Sequence, residues 1–212
     1  MAERAHPEDP GFQHHGWRFR LRRGWIPWID LPRRNPYRRE LEWRYGWISK
    51  YAVGKRVLDI PCGSGWGTSM IKGASELVGV DIDTESIEFA NEKYGHIASF
   101  HIGSMENLEF AGGSFHLVAC LEGIEHVPVP VADQFLAESH RILSPGGSLL
   151  LSSPHCARGG HSGNPYHIHE YQPNEIREKL SRQFVIEDVQ VREVDELIVH
   201  YFYATKQESS CS

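Results

Sequence analysis

Between residues 55 and 206 the chain alternates short apolar, β-branched runs with stretches whose apolar positions recur at helical spacing. The runs "RVLDI" (56–60), "LVGVDI" (77–82), "ASFHIG" (98–103), "FHLVACL" (115–121) and "GSLLLSS" (147–153) read as strands. Helical patterns fall between them at 66–73, 84–94 and 131–142. Such alternation predicts an α/β fold, with a parallel sheet covered on both faces by helices. A helix near 173–181 is then followed by "FVIEDVQV" and "ELIVHYFYAT" with only a short turn between. Two strands that close in sequence pair antiparallel, so the sheet is expected to have seven strands, mostly parallel, with an antiparallel last strand. Upstream, Asn35 and Pro36 form a helix start and Gly54 a stop. Leu41, Tyr45, Ile48 and Ala52 make an apolar stripe, which predicts a helix over 36–52.

Composition adds one asymmetry. The net charge is −6, but residues 1–50 carry 11 Lys+Arg against 6 Asp+Glu, and residues 51–212 carry 11 against 22. Five of the six tryptophans lie in the first 47 residues. Basic and aromatic interleaving suits a phosphate, nucleic acid or membrane surface. It equally suits an arm that packs its rings and leaves its arginines in water. The expected organisation is a basic, aromatic arm (1–34), one domain (35–206) whose first helix and arm form a lid, and a tail (207–212). Cys62, Cys120, Cys156 and Cys211 show no CxxC pairing, and no apolar run approaches the ~20 residues of a membrane span. A soluble protein of the cytoplasm is the expectation.

Chemistry concentrates at two places. In "VLDIPCGSGWGTS" a strand ends in Asp59 and runs through Gly63, Gly65 and Gly67 into a helix. The glycines allow a tight turn and close approach of a ligand to the backbone. The next strand ends in Asp81, where a ribose diol would be held. A nicotinamide enzyme would favour GxGxxG, but Thr68 stands at the position of the last glycine. Asp59 beside the turn would repel a pyrophosphate and suit a cationic ligand.

"DIPCGSG" resembles the DxxxGxG motif of the class I S-adenosylmethionine-dependent methyltransferases, and residues 55–206 follow that family's element order. Pro61 replaces the first glycine of the common form. The resemblance implies S-adenosylmethionine as cofactor. Pro61, Cys62, Gly63, Ser64 and Gly65 would lie along its amino-acid end, with Asp59 beside them. Asp81 would hold the ribose; Ile82, Asp83, Ser104 and Met105 would surround the adenine, and Leu121 and Glu122 the methionyl part.

The second place is "LEGIEHV", after the fourth strand, with Glu122, Glu125 and His126; "GGHSGNPYHIHEYQP" adds His161, His167 and His169 after the fifth. An imidazole ionises near neutral pH, so His126, Glu125 and His167 are candidate groups for deprotonating a hydroxyl acceptor. Glutamates with histidines also suit a divalent ion of intermediate hardness. The ExxEH pattern is similar to that of the ubiquinone-pathway O-methyltransferases. It also resembles the metal pattern of the small-RNA 2′-O-methyltransferases, which implies Glu122, Glu125, His126 and His167 as possible ligands. The expected reaction is methyl transfer to the oxygen of a small, possibly anionic acceptor. A metal-assisted RNA methyltransferase and a non-catalytic cofactor-binding module are the alternatives, and the oligomeric state is open.

Overall fold

The computed structural model describes residues 20–21, 24–25, 36–157, 159–194 and 197–208, with side chains from residue 39 onward except at Val194. The arm's expected roles and the cap Asn35 lie outside the described residues, apart from a two-residue antiparallel ribbon, Arg20–Leu21 with Gly24–Trp25.

The main sheet has seven strands: β1 Arg56–Asp59, β2 Glu76–Asp81, β3 Ser99–Ile102, β4 Phe115–Leu121, β5 Leu143–Cys156, β6 Phe184–Val194 and β7 Leu197–Lys206. Their order is β3-β2-β1-β4-β5-β7-β6. Pairings from β3 through to β5 are parallel, and β7 runs antiparallel to both β5 and β6. The expected α/β sheet with one antiparallel last strand is what the chain forms.

Among the described residues five α-helices flank it: α1 Pro36–Ala52, α2 Trp66–Met70, α3 Thr84–Tyr94, α4 Val129–Ile142 and α5 Pro173–Ser181. Because strand side chains alternate faces, β5 feeds two cores. Leu149 and Leu151 pack with Phe135 of α4, Leu180 of α5 and Phe202. Leu150 packs on the other face with Trp47 and Ile48 of α1 and with Tyr201. Ile48 is fully buried, so Ile48→Ala would cost about 2–5 kcal/mol. The C-terminal half of α1 is therefore a layer of the core, while its N-terminal half reaches the mouth of the sheet.

Several boundaries differ from the expected ones, those of β5 and α2 among them. β5 extends to 143–156 because Phe115 pairs with Leu143 across a register shift and His155 and Cys156 pair with Ile198 and Leu197. Partner strands hold those residues, which carry no hydrophobic alternation of their own. α2 stops at Met70, because Ile71 turns extended to bury its side chain.

Candidate active site

The first half of the site is built from strand ends. β1 delivers Asp59, 1% exposed, whose Oδ2 accepts from Thr68 Oγ1 at 2.6 Å. Burial raises the Asp59 carboxyl to about 7; hydrogen bonds from Thr68 and Tyr45 oppose the shift and the charge of Asp81 adds to it. Gly65 sits in the left-handed region at φ 75°, and a Cβ there would come within 2.7 Å of the Phe100 ring. Gly67 serves a neighbour instead of a ligand, since its Cβ would lie 2.0 Å from Tyr45 Cζ. At Gly63 a Cβ would meet nothing within 4 Å, so the space above the turn is open.

Asp81 ends β2 with one carboxylate oxygen on this turn and the other on the start of α3. Oδ2 accepts from the Gly63 amide at 2.8 Å and Oδ1 from the Asp83 amide at 3.0 Å. Burial pushes its carboxyl up, against the pull of those two amides. Asp83 spends its own Oδ2 on capping α3, accepting from Ser86 N and Oγ. Ile82 is 73% exposed at the mouth, as a residue flanking a ligand would be. Ser104 is half-buried, and Met105 reaches inward toward Gly123. Cys62 is buried under the turn and Ser64 within it. Pro61 packs so tightly on Gly123 that a Cβ there would lie 2.4 Å from its Cδ. That contact locks the first turn to the one after β4.

Leu121 ends β4, and Glu122 follows with φ 53°. Glu122 Oε1 accepts from Ser152 Oγ at 2.9 Å, and Oε2 lies 3.2 Å from Arg44 of α1. Arg44 also donates from Nε to the Tyr201 hydroxyl at 2.8 Å, and that hydroxyl donates to Glu40. Arg44 was not singled out in the sequence. The available signal was a charged i,i+4 pair, Glu40 and Arg44, on the same face as the apolar stripe.

The second half depends on a loop. Glu125 and His126 occupy a short 3-10 turn, Ile124–His126, and residues 159–170 fold against it. The amides of Ile168 and His169 both donate to the Glu125 carbonyl, at 2.7 and 3.2 Å. Glu125, His126 and His167 bring ligand atoms within 4.8 Å of one another, the one such group among the described residues. Glu122 is not part of it: Arg44 and Ser152 hold its carboxylate on the other side of the turn. Of the four residues expected as possible ligands, three therefore converge and Glu122 stands apart. His169 pairs with Glu175 at 3.2 Å, and His161 spends Nε2 on the His167 carbonyl at 3.0 Å.

Hydrogen bonding fixes which nitrogens carry protons. His126 Nδ1 lies 2.9 Å from the Tyr166 carbonyl, which only accepts. Nδ1 is therefore protonated, so in the neutral ring the lone pair is on Nε2, 3.9 Å from Glu125 Oε1. Asn164 Oδ1 accepts from the Tyr166 amide at 3.0 Å, so Asn164 Nδ2 is the donor 3.0 Å from His167 Nε2. His167 must then be protonated at Nδ1, which donates to Glu170 Oε1 at 2.7 Å. Glu170 also accepts from Ser162, at its amide and its hydroxyl. Burial pushes the Glu170 carboxyl up, but the bonds from Ser162 and His167 outweigh it and hold it below the usual range.

An open Gly turn and a buried acid at the end of β2 stand beside a histidine in the turn after β4, all outside the carboxyl ends of the parallel strands, where ligands of such sheets bind. Residues 57–147 match the family model described as "Methyltransferase domain", and over that span the chain resembles the S-adenosylmethionine-dependent methyltransferases. A "Ubiquinone biosynthesis O-methyltransferase" of Aromatoleum aromaticum is 34% identical over 119 residues, covering 52% of this chain and 49% of that protein. A "Probable S-adenosylmethionine-dependent methyltransferase" of Mycolicibacterium smegmatis is 29% identical over 164 residues, covering 74% and 63%. The chain thus spans about half to three-fifths of the length of these relatives. The N-methyltransferase NodS from Bradyrhizobium japonicum, solved with S-adenosyl-L-homocysteine, shares the fold at TM-score 0.68 and 16% identity, over 83% of this chain and 90% of that one. No described helix is long and apolar enough to cross a membrane.

Proposed function

We propose that the protein transfers a methyl group from S-adenosylmethionine to a hydroxyl of a small-molecule acceptor, with His126 as the general base. The observation that carries this reading is the His126 tautomer: its Tyr166 bond leaves the Nε2 lone pair beside a fully buried Glu125. The naming of the Aromatoleum relative as an O-methyltransferase supports the choice of oxygen.

When bound, S-adenosylmethionine supplies a methyl carbon made electrophilic by its sulfonium. Asp81 would take the ribose hydroxyls, the open face of Gly63 would admit the amino-acid end, and Arg44 would offer its guanidinium to the carboxylate. His126 Nε2 accepts the acceptor's proton as its oxygen bonds to the methyl carbon and the carbon–sulfur pair leaves with sulfur. The products are the methyl ether, neutral S-adenosylhomocysteine and an imidazolium that returns its proton to water. Glu125 stabilises that imidazolium by its charge. An anionic acceptor would suit the arginines of the arm.

A divalent ion is the second reading, and the three converging donors favour it. One carboxylate and two imidazoles suit Mn, Fe or Zn, and such an ion would lower the pKa of a bound acceptor hydroxyl. Glu125 and His126 fit it directly, whereas His167 would have to exchange its Asn164 amide for the ion. The test is a screen of hydroxylated small molecules and short oligonucleotides, read by S-adenosylhomocysteine release with and without chelator. Chelator-resistant turnover of a small hydroxyl compound is expected. Turnover lost in chelator and restored by Mn would select the metal reading, and no release from any acceptor would defeat methyl transfer.

A further inference from the structure

We infer that Glu170, through His167 and Asn164, is the positioning residue that holds the His126 base in its working tautomer. The inference rests on the proposed role of His126 and adds to it a chain of partners that runs away from the acceptor. The Glu170 side chain is 1% exposed and that of His167 5% exposed, so neither is an incidental surface contact. His167 Nδ1–H donates to Glu170, which obliges Nε2 to accept from the Asn164 amide. That orients Asn164 Oδ1 toward the Tyr166 amide. The same residue turns its carbonyl onto His126 Nδ1. Glu170 thus fixes the tautomer of His167 and the orientation of Asn164, and through the Tyr166 amide it holds in place the Tyr166 carbonyl that keeps the proton on His126 Nδ1. The His126 and His167 rings stand 5.1 Å apart, edge to face, so a displaced His167 also disturbs His126 by contact.

The isosteric change Glu170→Gln exposes this logic. With its oxygen toward His167, the new amide nitrogen would face the Ser162 N–H, donor against donor. With its oxygen toward Ser162, the amide would face His167 Nδ1 and drive His167 to the other tautomer, which then faces the Asn164 amide. Either arrangement breaks the chain at one link. Asn164→Ala breaks it nearer the catalytic end and leaves the Glu170 clamp on Ser162 intact.

The test is nitrogen NMR of the imidazole rings at mildly alkaline pH, on the cofactor-free protein, together with steady-state kinetics. In the wild type, His126 and His167 should both show a protonated Nδ1 and a bare Nε2. In Glu170→Gln and in Asn164→Ala, His126 should lose its single tautomer and kcat should fall about tenfold or more, as expected for a misplaced base. The Kd for S-adenosylhomocysteine should stay at the wild-type value. A wild-type His126 protonated at Nε2 overturns the inference. So does a His126 spectrum unchanged in both variants, even where kcat falls with loop stability. The spectra need no turnover, so a protein that methylates nothing would defeat the proposed reaction while leaving the tautomer chain to be judged on its own.

Discussion

The two halves of the cleft are made in different ways. The half proposed for the cofactor hangs on β1 and β2, whose backbones are fixed on both sides by parallel neighbours. Its acids, Asp59 and Asp81, are held by groups within a few residues of the glycine turn or of their own strand ends. The half proposed for the acceptor has Glu125 and His126 on the turn after β4 and His167 on a loop after β5. It exists only because the 159–170 segment folds back on the Glu125 carbonyl. A half built on strands keeps its geometry whatever the acceptor is; a half built on a loop can be rebuilt for each acceptor.

If the halves are independent, removing one should spare the other. The largest effect is expected from His126→Ala, which should lower kcat by roughly a hundred- to ten-thousandfold while calorimetry finds cofactor affinity unchanged. A matching loss of affinity would show the halves to be one unit. Next, Asp81→Ala should weaken S-adenosylhomocysteine binding by about ten- to a hundredfold, on the ~1.5–3 kcal/mol of a charged hydrogen bond. The His126 NMR signals should not move, and undiminished binding would remove Asp81 from the cofactor site.

The smallest effect concerns Asp59. Burial raises its carboxyl from 3.8 to about 7, so the folded protein holds that proton more tightly than the unfolded chain. Its stabilising contribution is full below the unfolded value and is lost as pH climbs through about 7. The melting temperature of Asp59→Asn, relative to wild type, should therefore rise from acid to mildly alkaline pH. A difference that stays flat with pH would place an ionised, well-solvated Asp59 in the folded protein.

The contrast also explains what could be read in advance. Asp59, Gly63, Gly65 and Asp81 were legible because a strand, a turn and a helix follow one another along the chain, and each residue's place follows from local pattern. Glu125, His126 and His167 were legible as residue types, but a fourth ligand, Glu122, was expected with them. Arg44 claims that carboxylate from a helix 78 positions earlier, a contact that no spacing encodes. Glu170 escaped notice because a glutamate in a polar loop reads as solvated. Its burial follows from the loop's closure onto the turn after β4.

By itself the sequence determined the alternation of strands and helices, the antiparallel last strand and the glycine turn with its two acids. These depend on period, on backbone freedom at glycine and on neighbours within a few residues. Only the tertiary structure decided that Glu122 answers to Arg44, that His167 and not His169 joins Glu125 and His126, and that Glu170 stands behind them. Those choices are made by segments far apart in the chain, competing for a few directional hydrogen bonds in a space that water has left.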